Sequence, residues 1–228
     1  MTFPAFPELK EFDLYAMMHP AREVGGDFYD FFMVDDHHIG LVIADVSGKG
    51  IPAALFMMAS KIILKNNLQG GKNPAEVLRR TNEQLLENNE TDMFVTVWIA
   101  VIDIRTGKGV ASNAGHEHPA LRKKDGLYEM VKYRHSPAVG MLEGIRYEEH
   151  GFELAPGDTL FVCTDGVTEA TNRDEKLFGE ERVLNALNTQ PDAEPEDILR
   201  IVRKSIDEFA GDAPQFDDIT MMAFRYNG

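Results

Sequence analysis

Two helix-forming stretches, residues 51–68 and 73–88, follow one another with no strand between them, and short apolar runs joined by polar turns flank them on both sides. This constrains the fold more than any other feature of the chain. A parallel sheet needs strands and helices to alternate, whereas runs joined by tight turns build antiparallel sheet. In the first stretch Pro52 is tolerated in the opening turn and Ala, Leu and Met fill the interior. In the second, Asn73-Pro74-Ala75-Glu76 supplies a cap, and Val77, Leu78, Thr81 and Leu85 recur with helical period.

Upstream, runs 28–34 and 39–45 pair across Asp35-Asp36-His37-His38. Downstream, 94–104 returns through Gly107-Lys108-Gly109 into 109–113, and 120–123 pairs with 127–131 across Asp125-Gly126. A third hairpin is expected from 147–153 and 159–164 around Pro156-Gly157-Asp158. Helices over 179–187 and 195–209 and a strand over 219–226 close the chain. The expected class is α+β with mostly antiparallel sheet, forming one domain over residues 12–228 after a Pro- and Phe-rich linker, 1–11, to an upstream segment. The pairs Met57-Met58 and Phe31-Phe32 are assigned to the core.

The chemistry lies in where the aspartates fall. Asp27 follows Gly25-Gly26 and opens a strand; Asp45 ends one before Val46-Ser47-Gly48-Lys49-Gly50. Asp165 ends another before Gly166, and Asp217-Asp218 opens the last. Each position is a junction of apolar strand and turn, where glycine leaves room for a ligand beside an emerging side chain. Alternation along a strand separates Asp27 from Asp30 and turns Asp217 and Asp218 apart, so one of the latter two is expected in any single site. Carboxylates from separate strand ends suit hard cations such as Mg²⁺ or Mn²⁺, and a pair of such ions can activate water and clamp a phosphoryl group. Taken singly, each aspartate reads more readily as a turn former or helix cap.

Composition removes other classes. A net charge of −15 argues against a nucleic-acid or anionic-membrane partner. The lone cysteine, Cys163, sits in an apolar run and reads as a buried small hydrophobe, with no internal disulfide available. No signal sequence or long apolar span is present, so a cytoplasmic protein with no membrane insertion is expected. Ser47-Gly48-Lys49-Gly50 lacks the spacing of a nucleotide-binding P-loop.

Gly25-Gly26-Asp27-Phe28-Tyr29-Asp30, Ala44-Asp45-Val46-Ser47-Gly48-Lys49-Gly50, Asn113-Ala114-Gly115-His116-Glu117-His118-Pro119, Thr164-Asp165-Gly166-Val167 and Asp217-Asp218-Ile219-Thr220 occur in one order. In that order the chain resembles the SpoIIE/RsbU-like branch of the metal-dependent (type 2C, PPM) serine/threonine protein phosphatases. The resemblance runs from Phe12 to Phe224. It implies a four-layer αββα sandwich, two mostly antiparallel sheets flanked by helices, with two divalent cations, Mn²⁺ or Mg²⁺, at one edge. By matching position, Asp45 would bridge both ions, Asp27 and the Val46 backbone carbonyl would complete one, and Asp165 and Asp217 the other. The nucleophile would be an activated water, without a phosphoenzyme. Asp218 and His116 are additional candidates, and Arg22 stands where related phosphatases keep an arginine for the substrate phosphate, a task a guanidinium suits.

Two departures are visible. Asp45-Val46-Ser47 replaces the Asp-Gly-His of eukaryotic members, leaving the general acid unassigned, and Gly115-His116 replaces Gly-Asp, removing a carboxylate used for a third metal. The resemblance further implies a phosphorylated STAS-domain protein that antagonises an anti-sigma factor as substrate. It also implies control by an upstream sensor or dimerisation segment, and a homodimer is compatible with it. Helices 53–67 and 74–88, beside the first metal ligands, are expected to be the switch by setting where Asp27 and Asp45 stand, although their apolar content equally suits plain core helices. Two alternatives stay open: a pseudo-phosphatase or interaction module of the same fold, and a metal-dependent phosphodiesterase or nuclease, which the acidic surface disfavours.

Overall fold

The computed structural model describes residues 9–71, 73–87, 89 and 92–228. In chain order the elements are β1 (Phe12–His19), β2 (Phe28–Met33), β3 (His38–Val46), α1 (Ile51–Gln69), α2 (Pro74–Leu86), β4 (Val95–Asp103) and β5 (Lys108–Ala114). There follow β6 (Ala120–Arg122), β7 (Tyr128–Met130), β8 (His150–Glu153), β9 (Thr159–Cys163), α3 (Asp165–Thr168), α4 (Gly179–Leu187), α5 (Pro195–Ala210) and β10 (Ile219–Tyr226). Residues 1–8 of the expected linker, and Asn88 at the expected end of the second helix, lie outside the described residues.

The strands form two five-stranded sheets, ordered β1-β10-β9-β6-β7 and β2-β3-β4-β5-β8, with every named pair antiparallel. Strand alternation sorts the core into three layers. On β3, Ile39, Leu41 and Ile43 face the other sheet, while Val42, Ala44 and Val46 pack under α1 and α2. On β10, Met222, Phe224 and Tyr226 share that intersheet layer, and Met221 and Ala223 pack with Val183, Leu199 and Val202 of α4 and α5. The result is the expected αββα sandwich.

Three local expectations are corrected. β1 is a strand that local pattern does not announce; its alternating exposure is imperfect, and it is held by pairing with the last strand, Phe12 opposite Tyr226. The third hairpin does not exist: β8 pairs with β5 in one sheet and β9 with β6 and β10 in the other. The 156–158 turn therefore carries the chain between sheets, anchored by buried Asp158, whose carboxylate accepts from the backbone N–H groups of Ala155 and Lys124 and from Lys123 Nζ. Of the adjacent methionines, Met57 is buried and Met58 exposed, because α1 buries the face through Ala53, Met57, Ser60, Leu64 and Leu68. Phe31 is core, and Phe32 packs partly buried under α1. Cys163 is buried, as expected. Among the described residues no helix is long and apolar enough to cross a membrane.

Candidate metal centre and its acidic rim

The four aspartates arrive from both sheets at one end of the sandwich. Asp27 immediately precedes β2 and Asp45 lies near the end of β3, in one sheet; Asp165 follows β9 and Asp217 shortly precedes β10, in the other. Direct bonds stitch the rim across the sheets. Thr164 Oγ1 donates to Asp27 Oδ2 at 2.7 Å, and Asp218 Oδ2 accepts from Gly26 N at 2.8 Å. Gly26 presses against the Val46 backbone: a Cβ there would stand 3.0 Å from the Val46 carbonyl oxygen. This brings the carbonyl named by the resemblance alongside Asp27.

The carboxylates lie close enough to perturb one another. Burial, then the Asp45 carboxylate, hold Asp27 well above the usual carboxyl range. Burial followed by repulsion from Asp165, and also from Asp217 and Asp218, pushes Asp45 up to about 7, against a hydrogen bond from Asp27 that lowers it. Burial, then Glu169, Asp217 and Glu117, raise Asp165 to about 6. Such a set repels itself when ionised, and a divalent cation relieves both the desolvation and the repulsion. All the donors are oxygens, the kind that Mg²⁺ and Mn²⁺ take. The residues therefore fit the ions the resemblance implies. As the side chains stand, no group of three or more His, Cys, Asp or Glu among the described residues is arranged to hold an ion. Two contacts bear on this: Asp27 is turned to Thr164, and Lys49 Nζ lies 2.9 Å from Asp217 Oδ2.

Asp217 and Asp218 diverge as alternation requires. Asp217 faces Lys49, while Asp218 is buried and its oxygens accept from Ala21 N and Gly26 N, both at 2.8 Å, and from Asp27 N at 3.4 Å. Asp218 thus moors the loop between β1 and β2, on which Arg22 stands exposed. His116 lines a cleft shared with Asp165, Glu117 and Glu169. Its imidazole is buried, and burial pushes its pKa down to about 3, against an opposing backbone carbonyl at Cys163; it is neutral, with Nδ1 2.9 Å from Thr96 Oγ1. Asn113 closes that turn, accepting from His116 N at 2.8 Å and donating to His116 O at 3.0 Å.

Sequence reasoning missed Thr164, Lys49 and Glu169. Thr164 and Lys49 stand within the Thr-Asp-Gly-Val and Asp-Val-Ser-Gly-Lys-Gly segments, but nothing in the one-dimensional pattern distinguishes them from neighbouring turn residues. Glu169 carried a usable signal: it lies four residues after Asp165, one helical turn on.

The family model described as Stage II sporulation protein E (SpoIIE) matches residues 35–227 of this chain. The chain belongs to the SpoIIE family. This SpoIIE-family chain is 32% identical over 250 residues to protein IcfG of Synechocystis sp. (strain PCC 6803), a match covering 98% of it and 39% of IcfG. It is 32% identical over 183 residues to the phosphoserine phosphatase RsbU of Bacillus subtilis, covering 79% of this chain and 53% of RsbU. It thus spans about half the length, or less, of these curated relatives. The SiaA-PP2C domain of Pseudomonas aeruginosa superposes with a TM-score of 0.83 at 23% identity, covering 94% of this chain and 86% of that domain. At that identity the superposition speaks for the fold alone; the family model and the match to RsbU carry the assignment to the SpoIIE/RsbU-like branch.

Proposed function

We propose that this chain is a metal-dependent protein serine/threonine phosphatase that hydrolyses a phosphoserine or phosphothreonine on a partner protein. One observation carries the reading: carboxylates from both sheets meet at one rim and raise one another's pKa, with Asp45 held at about 7 and Asp165 at about 6. Asp27 and the Val46 carbonyl would hold one cation, Asp165 and Asp217 a second, and Asp45 both. Two such ions, Mn²⁺ or Mg²⁺, supply an activated water and a clamp for the phosphoryl oxygens.

The chain's own residues supply the rest. Thr164 holds the Asp27 carboxylate from the opposite sheet, fixing the two halves of the donor set against each other. Asp218 fixes the backbone of the loop that carries Asp27 and Arg22. The exposed Arg22 guanidinium is free of burial costs and suited to bidentate capture of an incoming phosphate. His116, neutral and buried, serves as a structural imidazole holding the Thr96 hydroxyl rather than as a proton donor.

The SpoIIE/RsbU resemblance supports a phosphorylated STAS-domain protein as the substrate, with regulation by a sensor or dimerisation segment. The outer face of α1 supports such control. Ile51, Leu55, Met58 and Ile62 are all exposed and lie along one stripe, on the helix that begins just beyond the Asp45 turn. A regulatory segment or a second copy seated there would shift the donor set through α1. Hydrogen exchange on resting and activated full-length protein should change over α1 and α2, and unaltered protection in both would remove this mode of control.

The activity is tested by p-nitrophenyl phosphate hydrolysis with EDTA, Mg²⁺ or Mn²⁺, for the wild type and Asp165→Asn. Turnover that requires the cation and is lost in the variant is expected. Turnover confined to a phosphodiester would refute the assignment. So would tight phosphoprotein binding with no hydrolysis by the activated full-length protein.

A further inference from the structure

Lys49 lies between two glycines in the turn that joins Asp45 to α1. Gly48 and Gly50 have φ of 84° and 83°, in the left-handed region that favours glycine, and a Cβ on either would meet nothing within 4 Å. The turn is thus open on both sides of the lysine, and α1 begins without a side-chain cap. The Lys49 ammonium nevertheless has a defined place. It sits 2.9 Å from Asp217 Oδ2, donates to the Phe216 carbonyl at 2.7 Å, and lies 3.9 Å from the centre of the Phe216 ring. Phe216 is 74% exposed, so its ring serves the lysine as a platform rather than filling the core.

Among the described residues, no other lysine, arginine or histidine is within ion-pair distance of Asp27, Asp45, Asp165 or Asp217. The forces on Asp45 and Asp165 come from burial and from other carboxylates, Asp217 among them. Lys49 therefore holds the solvent-side end of an acidic set whose inner members have no cationic partner. A divalent cation held by Asp217 would compete with the ammonium for that carboxylate, because two positive charges would then share it. An ammonium on a flexible stem can swing away from that repulsion, and a phosphoryl dianion at the rim would offer it the strongest acceptor nearby.

We propose that Lys49 is an internal counter-ion that holds Asp217 while the cations are absent and passes to the substrate phosphate when they bind. The proposal rests on the metal-centre reading above. It assigns Lys49 two opposed effects: it weakens cation binding by competing for Asp217, and it strengthens phosphate binding in the loaded protein. A lysine with only a structural role in the turn would produce neither effect.

The test uses the full chain and two probes, Mn²⁺ titrated into metal-free protein and inorganic phosphate titrated into Mn²⁺-loaded protein. Both are followed by calorimetry, with free Mn²⁺ read independently by its paramagnetic resonance signal. Lys49→Met should bind Mn²⁺ about two- to fivefold more tightly than wild type, the size of effect expected from one partly exposed ion pair. It should bind phosphate about tenfold more weakly, and KM for a phosphoprotein should rise more than kcat falls. Lys49→Arg, which keeps the charge, should return both affinities most of the way to the wild-type values, and circular dichroism checks that both variants fold. Unchanged or weaker Mn²⁺ binding in Lys49→Met overturns the counter-ion role, and unchanged phosphate binding overturns the transfer. If the wild type itself takes up no Mn²⁺, the metal centre fails and this proposal falls with it, a result distinguishable from equal binding by both proteins.

Discussion

Replacing Gly166 by alanine isolates the contact that holds Asp165 and Asp217, two of the proposed ligands, together. Gly166 lies in the first turn of α3, directly after Asp165, and its φ is not in the left-handed region. On local grounds alone, alanine should help, because it favours a helix over glycine by about 1 kcal/mol. The tertiary structure reverses the sign. A Cβ at this position would stand 1.9 Å from the Asp218 carbonyl oxygen and 2.9 Å from its carbonyl carbon. That is roughly 1.5 Å inside ordinary contact, and the obstacle is backbone, which cannot rotate away.

Relief requires the α3 start to separate from the Asp217-Asp218 segment, and neither side yields readily. Asp218 is tied through its carboxylate to Ala21 N and Gly26 N, and Thr164 N donates to the Thr220 carbonyl at 3.0 Å. Overpacking of this kind costs about 2–3 kcal/mol, a fall in Tm of about 4–12 °C for a chain of this length. The functional cost is larger, because Asp165 and Asp217 would move apart, and a 1 Å misplacement of reacting groups can cost about 100-fold in rate. Thermal unfolding by circular dichroism, paired with Mn²⁺-dependent turnover, checks both. A Gly166→Ala protein as stable and as active as wild type would refute the claim that this backbone contact sets the ligand spacing.

Asp218→Ala should lower stability by about 3 kcal/mol, because it strips buried N–H donors at Ala21 and Gly26 of a charged acceptor. Urea unfolding measures the loss, and a change below 1 kcal/mol would contradict the mooring role. The acidic rim also predicts a pH dependence. Asp45 and Asp165 titrate at about 7 and about 6 in the folded protein, whereas an unperturbed aspartate titrates near ~4. Across that window the folded, metal-free protein retains protons that the unfolded chain has released, so stability from these groups is full below ~4 and is lost as pH rises towards ~7. Scanning calorimetry in EDTA should therefore show a fall in Tm from pH 5 to 7.5 that flattens in Asp45→Asn; an identical slope in the variant would count against the shift. Cation binding must expel those same protons, so Mn²⁺ affinity should increase over the same range, and proton release on titration tests it.

The sequence by itself determined the class of the fold and the identity of the acidic positions. Consecutive helices between paired apolar runs exclude an alternating parallel sheet, and alternation along β3 and β10 already sorts residues such as Leu41 and Val42 to opposite faces. It placed Asp27, Asp45, Asp165 and Asp217 at strand ends beside glycines, because a local pattern records which way a side chain points from its own strand. It could not record which strand lies next to which. Hence β1 was missed, its partner being β10 at the other end of the chain, and β8 and β9 were joined in a hairpin although they belong to different sheets. Only the packing of one sheet on the other brings Thr164 to Asp27, Asp218 to the Gly26 amide and Lys49 to Asp217. Those contacts span long stretches of chain and depend on distances of a few ångströms between elements, and no periodicity along a single strand or helix encodes such a distance.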